Sequence, residues 1–104
     1  MNSKRRLKIS KLIFELELLR DNYNVDWLKR SIDILNDIKN EEEEVFENMP
    51  EGLKYSIRGM DSEDAIENLD EALAYLEEVP DMEDIIDREI NIDMAIECLE
   101  DACL

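Results

Sequence analysis

The chain has 104 residues, of which 44% are hydrophobic and 39% charged, a composition typical of one small domain with a single core. Twelve lysines and arginines stand against 29 aspartates and glutamates, so the net charge is −17 at pH 7. That charge disfavours direct binding of nucleic acid by the molecule as a whole. Histidine is absent, which excludes His-based acid–base catalysis, His-ligated metals and a Ser-His-Asp triad. Without a pocket signature or an activated nucleophile, we expect a non-enzymatic protein that needs no cofactor and no metal.

The first half of the chain predicts two helices. Apolar residues recur at three- and four-residue steps from Leu12 to Tyr23, which is the period of one helix face and predicts a first helix over residues 4–22. After a short polar break, Asp26 can cap a second helix over residues 26–48 by accepting hydrogen bonds from the free amides of its first turn. Glu42 stands in the apolar stripe of this second helix, where another apolar residue would be expected.

The second half predicts a turn and two more helices. Three of the four glycines and prolines fall within residues 49–60, which predicts the main turn of the chain. Asp61 or Ser62 can then cap a third helix over residues 61–78, again through its side-chain oxygen. A proline follows, and acidic residues just after it predict a fourth helix over residues 81–103, because acids favour the positive end of a helix dipole.

These elements predict an all-α fold of four helices, arranged as two hairpins or as a small helical bundle. A single helix pair leaves apolar stripes uncovered, so either the two hairpins pack on each other within one chain or two chains pair. The sequence pattern leaves both arrangements open.

Two further features bear on the compartment. Cys98 and Cys103 are five residues apart, so on a helix their thiols face different directions and both are expected to be reduced. The apolar run after the basic N-terminal residues is too short for an export or membrane-spanning segment. We therefore expect a cytoplasmic protein that does not bind a membrane.

Charge is distributed unevenly along the chain. Residues 1–30 contain eight basic and four acidic residues, whereas residues 31–104 contain four basic and 25 acidic residues. Basic residues at the start of the first helix oppose its dipole unless an acidic group neutralises them. Either the protein's own acidic surface or a partner can supply that group, for example an acidic protein surface or a membrane face.

A run of glutamates in the last turns of the second helix is the first candidate binding surface. These residues crowd the negative end of the helix dipole and place like charges one turn apart, which is destabilising. The run is either a solvated face that keeps the protein soluble or a binding surface, on which rows of carboxylates resemble the phosphates of a nucleic-acid strand. Its members are Glu41, Glu42, Glu43, Glu44 and Glu47.

The central turn supplies a second candidate. Lys54, Tyr55 and Arg58 are expected to form a small contact site at the tip of a hairpin. The alternative is that Leu53 and Ile57 close the end of the core while the other three side chains face solvent.

Part of the chain resembles a known group of proteins. The run EEEEVFENMPEGL over residues 41–53, then Tyr55, Ser56 and Gly59, and AIENLDEA over residues 65–72 are similar to small acidic helical proteins encoded by phages and prophages of Gram-positive bacteria. The resemblance covers about a third of the chain. That family has no established activity, so the resemblance implies a genomic setting and not a mechanism.

Three functions are compatible with these features. By analogy with small phage proteins that bind host machinery, the first is an inhibitor of a host protein with a basic surface, such as a defence nuclease, acting through nucleic-acid-mimicking acidic faces of helices two to four. The second is a homo-oligomeric structural or accessory phage protein whose apolar seams, with Leu35 in the second helix, meet their own copies. The third is an antitoxin-like neutraliser of a basic toxin, which the sequence does not distinguish from the first.

Overall fold

The computed structural model describes all residues, 1–104, and contains helices and no strand. The prediction of an all-α fold is confirmed, and the number of helices is five because a short helix lies inside the predicted central turn. The elements in chain order are α1 (Ser3–Asp21), α2 (Val25–Glu47), α3 (Glu51–Lys54), α4 (Ile57–Glu78), a 3₁₀ turn (Val79–Asp81) and α5 (Ile85–Ala102).

The four long helices form an antiparallel bundle that measures 47 × 20 × 19 Å. α1 and α2 form one hairpin, and α4 and α5 form the other. α1 packs against α2 and α5, and α4 packs against the same two helices. The hairpins therefore cover each other's apolar stripes within one chain. The outer face of the α1–α2 hairpin lies on the opposite side of the bundle from the outer face of the α4–α5 hairpin.

A single core of 18 buried residues runs along the bundle axis, built mainly from leucine, isoleucine and alanine. Each long helix contributes side chains at three- and four-residue steps, such as Ile9, Leu12 and Leu16 from α1. Leu35 is fully buried in this core. The seam of α2 that contains Leu35 is therefore used inside the chain and is not exposed to a second copy in this fold.

The first two helices begin and end close to the predicted residues. Asn2 caps α1 by accepting a hydrogen bond from the Arg5 amide at 2.9 Å. The N-cap of α2 is Asn24, whose Oδ1 accepts from the amides of Asp26 and Trp27 at 2.9 and 3.2 Å. Asp26 is thus not the cap. It lies in the first turn of α2, where its negative charge favours the helix dipole.

The start of α4 differs from the prediction. The helix begins at Ile57, so Asp61 and Ser62 lie inside it and neither is its cap. Asp61 and Ser62 have side chains suited to an N-cap, but α4 already begins at Ile57, with only two residues between it and the end of α3 at Lys54. Ser62 is buried instead, with 2% of its surface exposed.

α5 begins four residues later than predicted. Pro80 lies in the 3₁₀ turn Val79–Asp81, and the chain then runs extended to Asp84. Asp84 caps α5 by accepting a hydrogen bond from the Ile86 amide at 2.8 Å. Ile85 remains 67% exposed at this helix start.

Gly59 allows α4 to pack closely against α3. A Cβ atom at this position would overlap the carbonyl oxygens of Lys54 and Leu53, the second at 2.6 Å. We expect Gly59→Ala to lower the free energy of unfolding by about 1–3 kcal/mol, the usual effect of overpacking, although alanine is the better helix former. Urea unfolding followed by circular dichroism measures the change.

Gly52→Ala is the matched control, because no atom lies within 4 Å of a Cβ at Gly52. We expect this control to leave stability unchanged or to raise it by up to about 1 kcal/mol. Equal stability of the two variants would contradict the assignment of Gly59 as a close-packing residue.

Candidate functional site

The glutamate run of α2 is largely neutralised within the fold. Lys8 Nζ donates a hydrogen bond to Glu41 at 2.8 Å, and this bond holds the pKa of Glu41 below its usual value. Lys39 Nζ lies 3.5 Å from Glu43 and 2.6 Å from Asp70 on α4. The hydrogen bond to Asp70 raises the pKa of Lys39. Two of the five predicted binding residues are therefore paired with the protein's own lysines.

Glu42 is a core residue and not part of a binding surface. Its side chain is 1% exposed, and Arg5 Nε donates a hydrogen bond to its Oε2 at 2.7 Å. The Ser62 hydroxyl donates to its Oε1 at 2.8 Å, and the amino group of Met1 lies 3.6 Å from the same oxygen. Its place in the apolar stripe of α2 was the sequence signal for this burial.

This polar cluster joins three helices at one end of the bundle. Arg5 comes from α1, Glu42 from α2 and Ser62 from α4, and no buried side-chain nitrogen or oxygen in the protein lacks a hydrogen-bond partner. A buried ion pair gains stability only when its remaining polar atoms are satisfied, and here they are. The cluster therefore holds the three helices together, and its buried carboxylate is inaccessible to a binding partner.

Of the predicted run, Glu44 and Glu47 remain as exposed carboxylates. No basic group lies within ion-pair distance of either side chain. The continuous row of five carboxylates expected from the sequence is therefore reduced to two.

The contact site predicted at the central turn lies at α3 and the start of α4, and only part of it is exposed. Lys54 is half-buried and its Nζ lies 5.6 Å from the centre of the Phe46 ring, whereas Tyr55 is 83% exposed. Arg58 is also exposed. Leu53 and Ile57 are 41% and 79% exposed, so they do not close the end of the core.

Some basic side chains of α1 form ion pairs within the fold, and others are exposed to solvent. Arg5 and Lys8 pair with α2, and Arg20 reaches Asp93 on α5 at 2.6 Å. The hydrogen bond that Arg20 donates to the Asp93 carboxylate raises the pKa of Arg20. Lys4 and Lys11 remain exposed without an acidic partner. The protein's own acidic surface thus neutralises part of α1.

The most acidic surface lies elsewhere, in a groove of about 450 Å³ between α4 and α5. Residues 59–104 contain 17 acidic residues and a single basic one, Arg88. Arg88 is engaged away from the groove, because its Nε donates to the Met82 carbonyl at 2.8 Å and its guanidinium lies 4.6 Å from the Tyr23 ring centre. Five carboxylates line the groove without an ion-pair partner, namely Asp61, Asp64, Glu67, Glu71 and Asp101.

This acidic groove was not identified from the sequence as a separate site. The signal was the spacing of Asp61, Asp64 and Glu71 at three and seven residues, which places them along one side of a helix. Asp101 joins them only because α5 packs antiparallel against α4. The order of acidic residues in the sequence does not show that contact between helices.

Cys98 lies beside the acidic groove. Its thiol is 3.7 Å from Glu71 Oε2 and the residue is 8% exposed. Burial raises the pKa of Cys98 to about 11, and the negative charges of Glu71, Asp101 and Glu97 add to the effect. Because the thiolate is the reactive form, this environment slows the reaction of Cys98 at neutral pH.

Comparison with known protein families, with characterised proteins and with solved structures finds no match to this chain. No helix has the combined length and apolar character needed to cross a membrane. No group of three or more cysteine, aspartate or glutamate side chains has the geometry of a metal site.

Removal of the buried carboxylate tests the polar cluster. We expect Glu42→Ala to lower the free energy of unfolding by about 3–5 kcal/mol, because the substitution leaves the Arg5 guanidinium buried without its partner. The double variant Arg5→Met/Glu42→Met is expected to regain most of that loss. Glu44→Ala, at an exposed unpaired position, serves as the control and is expected to change stability by less than about 0.5 kcal/mol. Urea unfolding that gave similar losses for Glu42→Ala and Glu44→Ala would contradict the structural role.

The reactivity of Cys98 tests the environment beside the groove. In the variant Cys103→Ser, Cys98 is the sole thiol, and we expect its reaction with a disulfide reagent at pH 8 to be about 100-fold slower in the folded protein than in urea. At a fixed pH below both values, a rise in pKa from 9.0 to about 11 lowers the thiolate fraction about 100-fold. The folded rate should keep rising above pH 9 and level off near pH 11. A plateau near pH 9 would show that the thiol is not perturbed.

Proposed function

We propose that this chain is a non-enzymatic protein-binding module that engages a positively charged surface of another protein through its α4–α5 groove. The observation that supports this proposal is the set of five unpaired carboxylates lining one groove with no basic residue among them. On the α2 side of the bundle, by contrast, the protein's own lysines and Arg5 occupy most of the glutamate run.

The geometry of the groove suits a basic partner. Residues three to four apart on a helix lie about 5 Å apart along its axis, so Asp64, Glu67 and Glu71 form a row of regularly spaced charges on a rigid element. A surface of one sign attracts an oppositely charged protein and raises its association rate. A basic groove on a partner therefore meets negative charge along this row, as it does along a phosphate backbone.

The resemblance to phage and prophage proteins suggests the kind of target. Its segment, residues 41–72, includes Glu67 and Glu71 of the groove. The proposed partner is accordingly a host protein with a basic nucleic-acid-binding surface, such as a defence nuclease, in the cytoplasm of the bacterial host. By occupying that surface the protein would act as an inhibitor.

The site predicted from the sequence is revised in this proposal. Glu44 and Glu47 lie on α2, outside the α4–α5 groove, and are assigned no primary role. Tyr55 and Arg58 are exposed near the start of α4. Arg58 lines a separate pocket with Arg5, Glu42 and Ser62, so Tyr55 and Arg58 are assigned no role at the α4–α5 groove.

Two charge-matched triple variants test which surface binds. Each removes three negative charges, one set from the groove and one from the outer face of α2, where the residues are exposed and unpaired. The tagged proteins are incubated with a nuclease-treated lysate of a Gram-positive host, eluted with a salt gradient and analysed by mass spectrometry. The groove variant is Asp64→Asn/Glu67→Gln/Glu71→Gln, and the control is Asp33→Asn/Glu44→Gln/Glu47→Gln.

We expect the unmodified protein and the α2 control to retain the same basic partner until salt releases it, because salt screens surface charges. The groove variant is expected to lose that partner. Equal retention by both variants, or no salt-sensitive partner at all, would argue against the proposal. Once the partner is purified, addition of the protein should displace a labelled oligonucleotide from it in a fluorescence-anisotropy assay. Undiminished oligonucleotide binding would reject inhibition while leaving the protein–protein contact intact.

A further inference from the structure

A second groove, of about 320 Å³, lies between α1 and α2 on the side of the bundle away from the acidic groove. Phe14 and Trp27 line it and are 62% and 56% exposed, and Leu18 beside them is 43% exposed. Arg30 and Glu15 also line this groove. Aromatic residues and arginine dominate the energetics of protein interfaces, and adjoining exposed apolar side chains mark binding sites on small proteins.

The charges of this groove indicate which occupant fits it. Glu15 and Arg30 both line it, and neither has an ion-pair partner within the chain. An acidic ligand would pair with Arg30 and leave Glu15 opposed by like charge, and a basic ligand would do the reverse. An occupant that carries one charge of each sign, placed beside apolar groups, satisfies both residues. The α1–α2 groove itself carries one charge of each sign beside apolar side chains, so the same groove on a second copy is such an occupant.

Electrostatic repulsion also restricts where two copies can meet. With a net charge of −17, copies of this chain repel each other through most of their surface. The α1–α2 side is less negative than the α4–α5 side, because α1 and α2 together hold nine of the twelve basic residues of the chain. It is therefore the side through which a second copy approaches with the smaller electrostatic cost.

We propose that two copies of this chain pair through their α1–α2 grooves about a two-fold axis, with Arg30 of each copy facing Glu15 of the other. In a two-fold interface every contact between unlike residues occurs twice, so one such pairing satisfies all four charges. Phe14 and Trp27 of the two copies then pack together at the centre. One side of the bundle spans about 47 by 20 Å, which accommodates the ~800 Å² per partner of a standard interface.

This pairing is independent of the proposed function and compatible with it. The α4–α5 groove lies on the opposite side of each bundle, so the dimer carries its two acidic grooves on outward-facing surfaces. Loss of dimerisation would leave each acidic groove in place, and loss of the acidic groove would leave the α1–α2 side unchanged. The two proposals therefore fail separately.

The mass of the purified chain in solution is the first test. Sedimentation equilibrium over a concentration series is expected to give twice the chain mass of 12.3 kDa at high concentration. Because Trp27 is the only tryptophan, its fluorescence emission should shift to shorter wavelength as dimers form and bury it. A mass that stayed at 12.3 kDa up to about 1 mM, the limit of weak specific association, would overturn the proposal.

A matched pair of surface variants locates the interface. Phe14→Ser is expected to leave the circular dichroism spectrum unchanged and the protein monomeric, because Phe14 is exposed in the single chain. Ile90→Ser on α5, at a residue that is 52% exposed, is expected to remain dimeric. Dissociation by Ile90→Ser together with an unaffected Phe14→Ser dimer would place the interface elsewhere and overturn the proposal.

A charge exchange tests the two-fold register. Glu15→Arg and Arg30→Glu are each expected to raise the dissociation constant about tenfold or more, since each opposes like charges twice across the interface. The double variant Glu15→Arg/Arg30→Glu is expected to restore the affinity of the unmodified chain. Additive weakening in the double variant would show that Glu15 and Arg30 do not face each other and would overturn the pairing.

Discussion

The internal neutralisation of acidic groups by α1 is the interaction on which the charge distribution of this protein depends. α1 holds half of the basic residues of the chain and packs between α2 and α5. Arg5 and Lys8 bind α2, while Arg20 binds α5, so the helix links both hairpins. Because these cations are placed on α1, few remain for the α4–α5 side. The acidic groove is thus a consequence of where the counter-charges lie.

The helical architecture followed well from the sequence. Apolar periodicity and the polar break near residue 23 located α1 and α2 to within one residue, since both signals depend on local structure. The starts of α4 and α5 were less predictable. Asp61 and Ser62 have the chemistry of an N-cap, yet Ser62 instead binds Glu42, a residue 20 positions away. A buried partner of that kind overrides local capping preference.

The candidate site depends even more on tertiary contacts that local sequence patterns do not show. The glutamate run of α2 is conspicuous in the sequence, but the bases that occupy it, Lys8 and Arg5, are 33 and 37 residues away from their partners. The acids of the α4–α5 groove are scattered in the chain and converge only when the two helices pack. Spacing identifies which residues share a helix face, whereas tertiary pairing decides which of their charges stay free.

The antiparallel connectivity of the bundle has a consequence for folding kinetics. Contacts within each hairpin join residues that are close in the chain, so the entropy lost in forming them is small. The α1–α5 seam is the exception, because the ion pair between Arg20 and Asp93 closes a loop of 73 residues. Each hairpin can therefore form early, with the α1–α5 seam closing late. Helical bundles of this kind, dominated by local contacts, fold in microseconds to milliseconds.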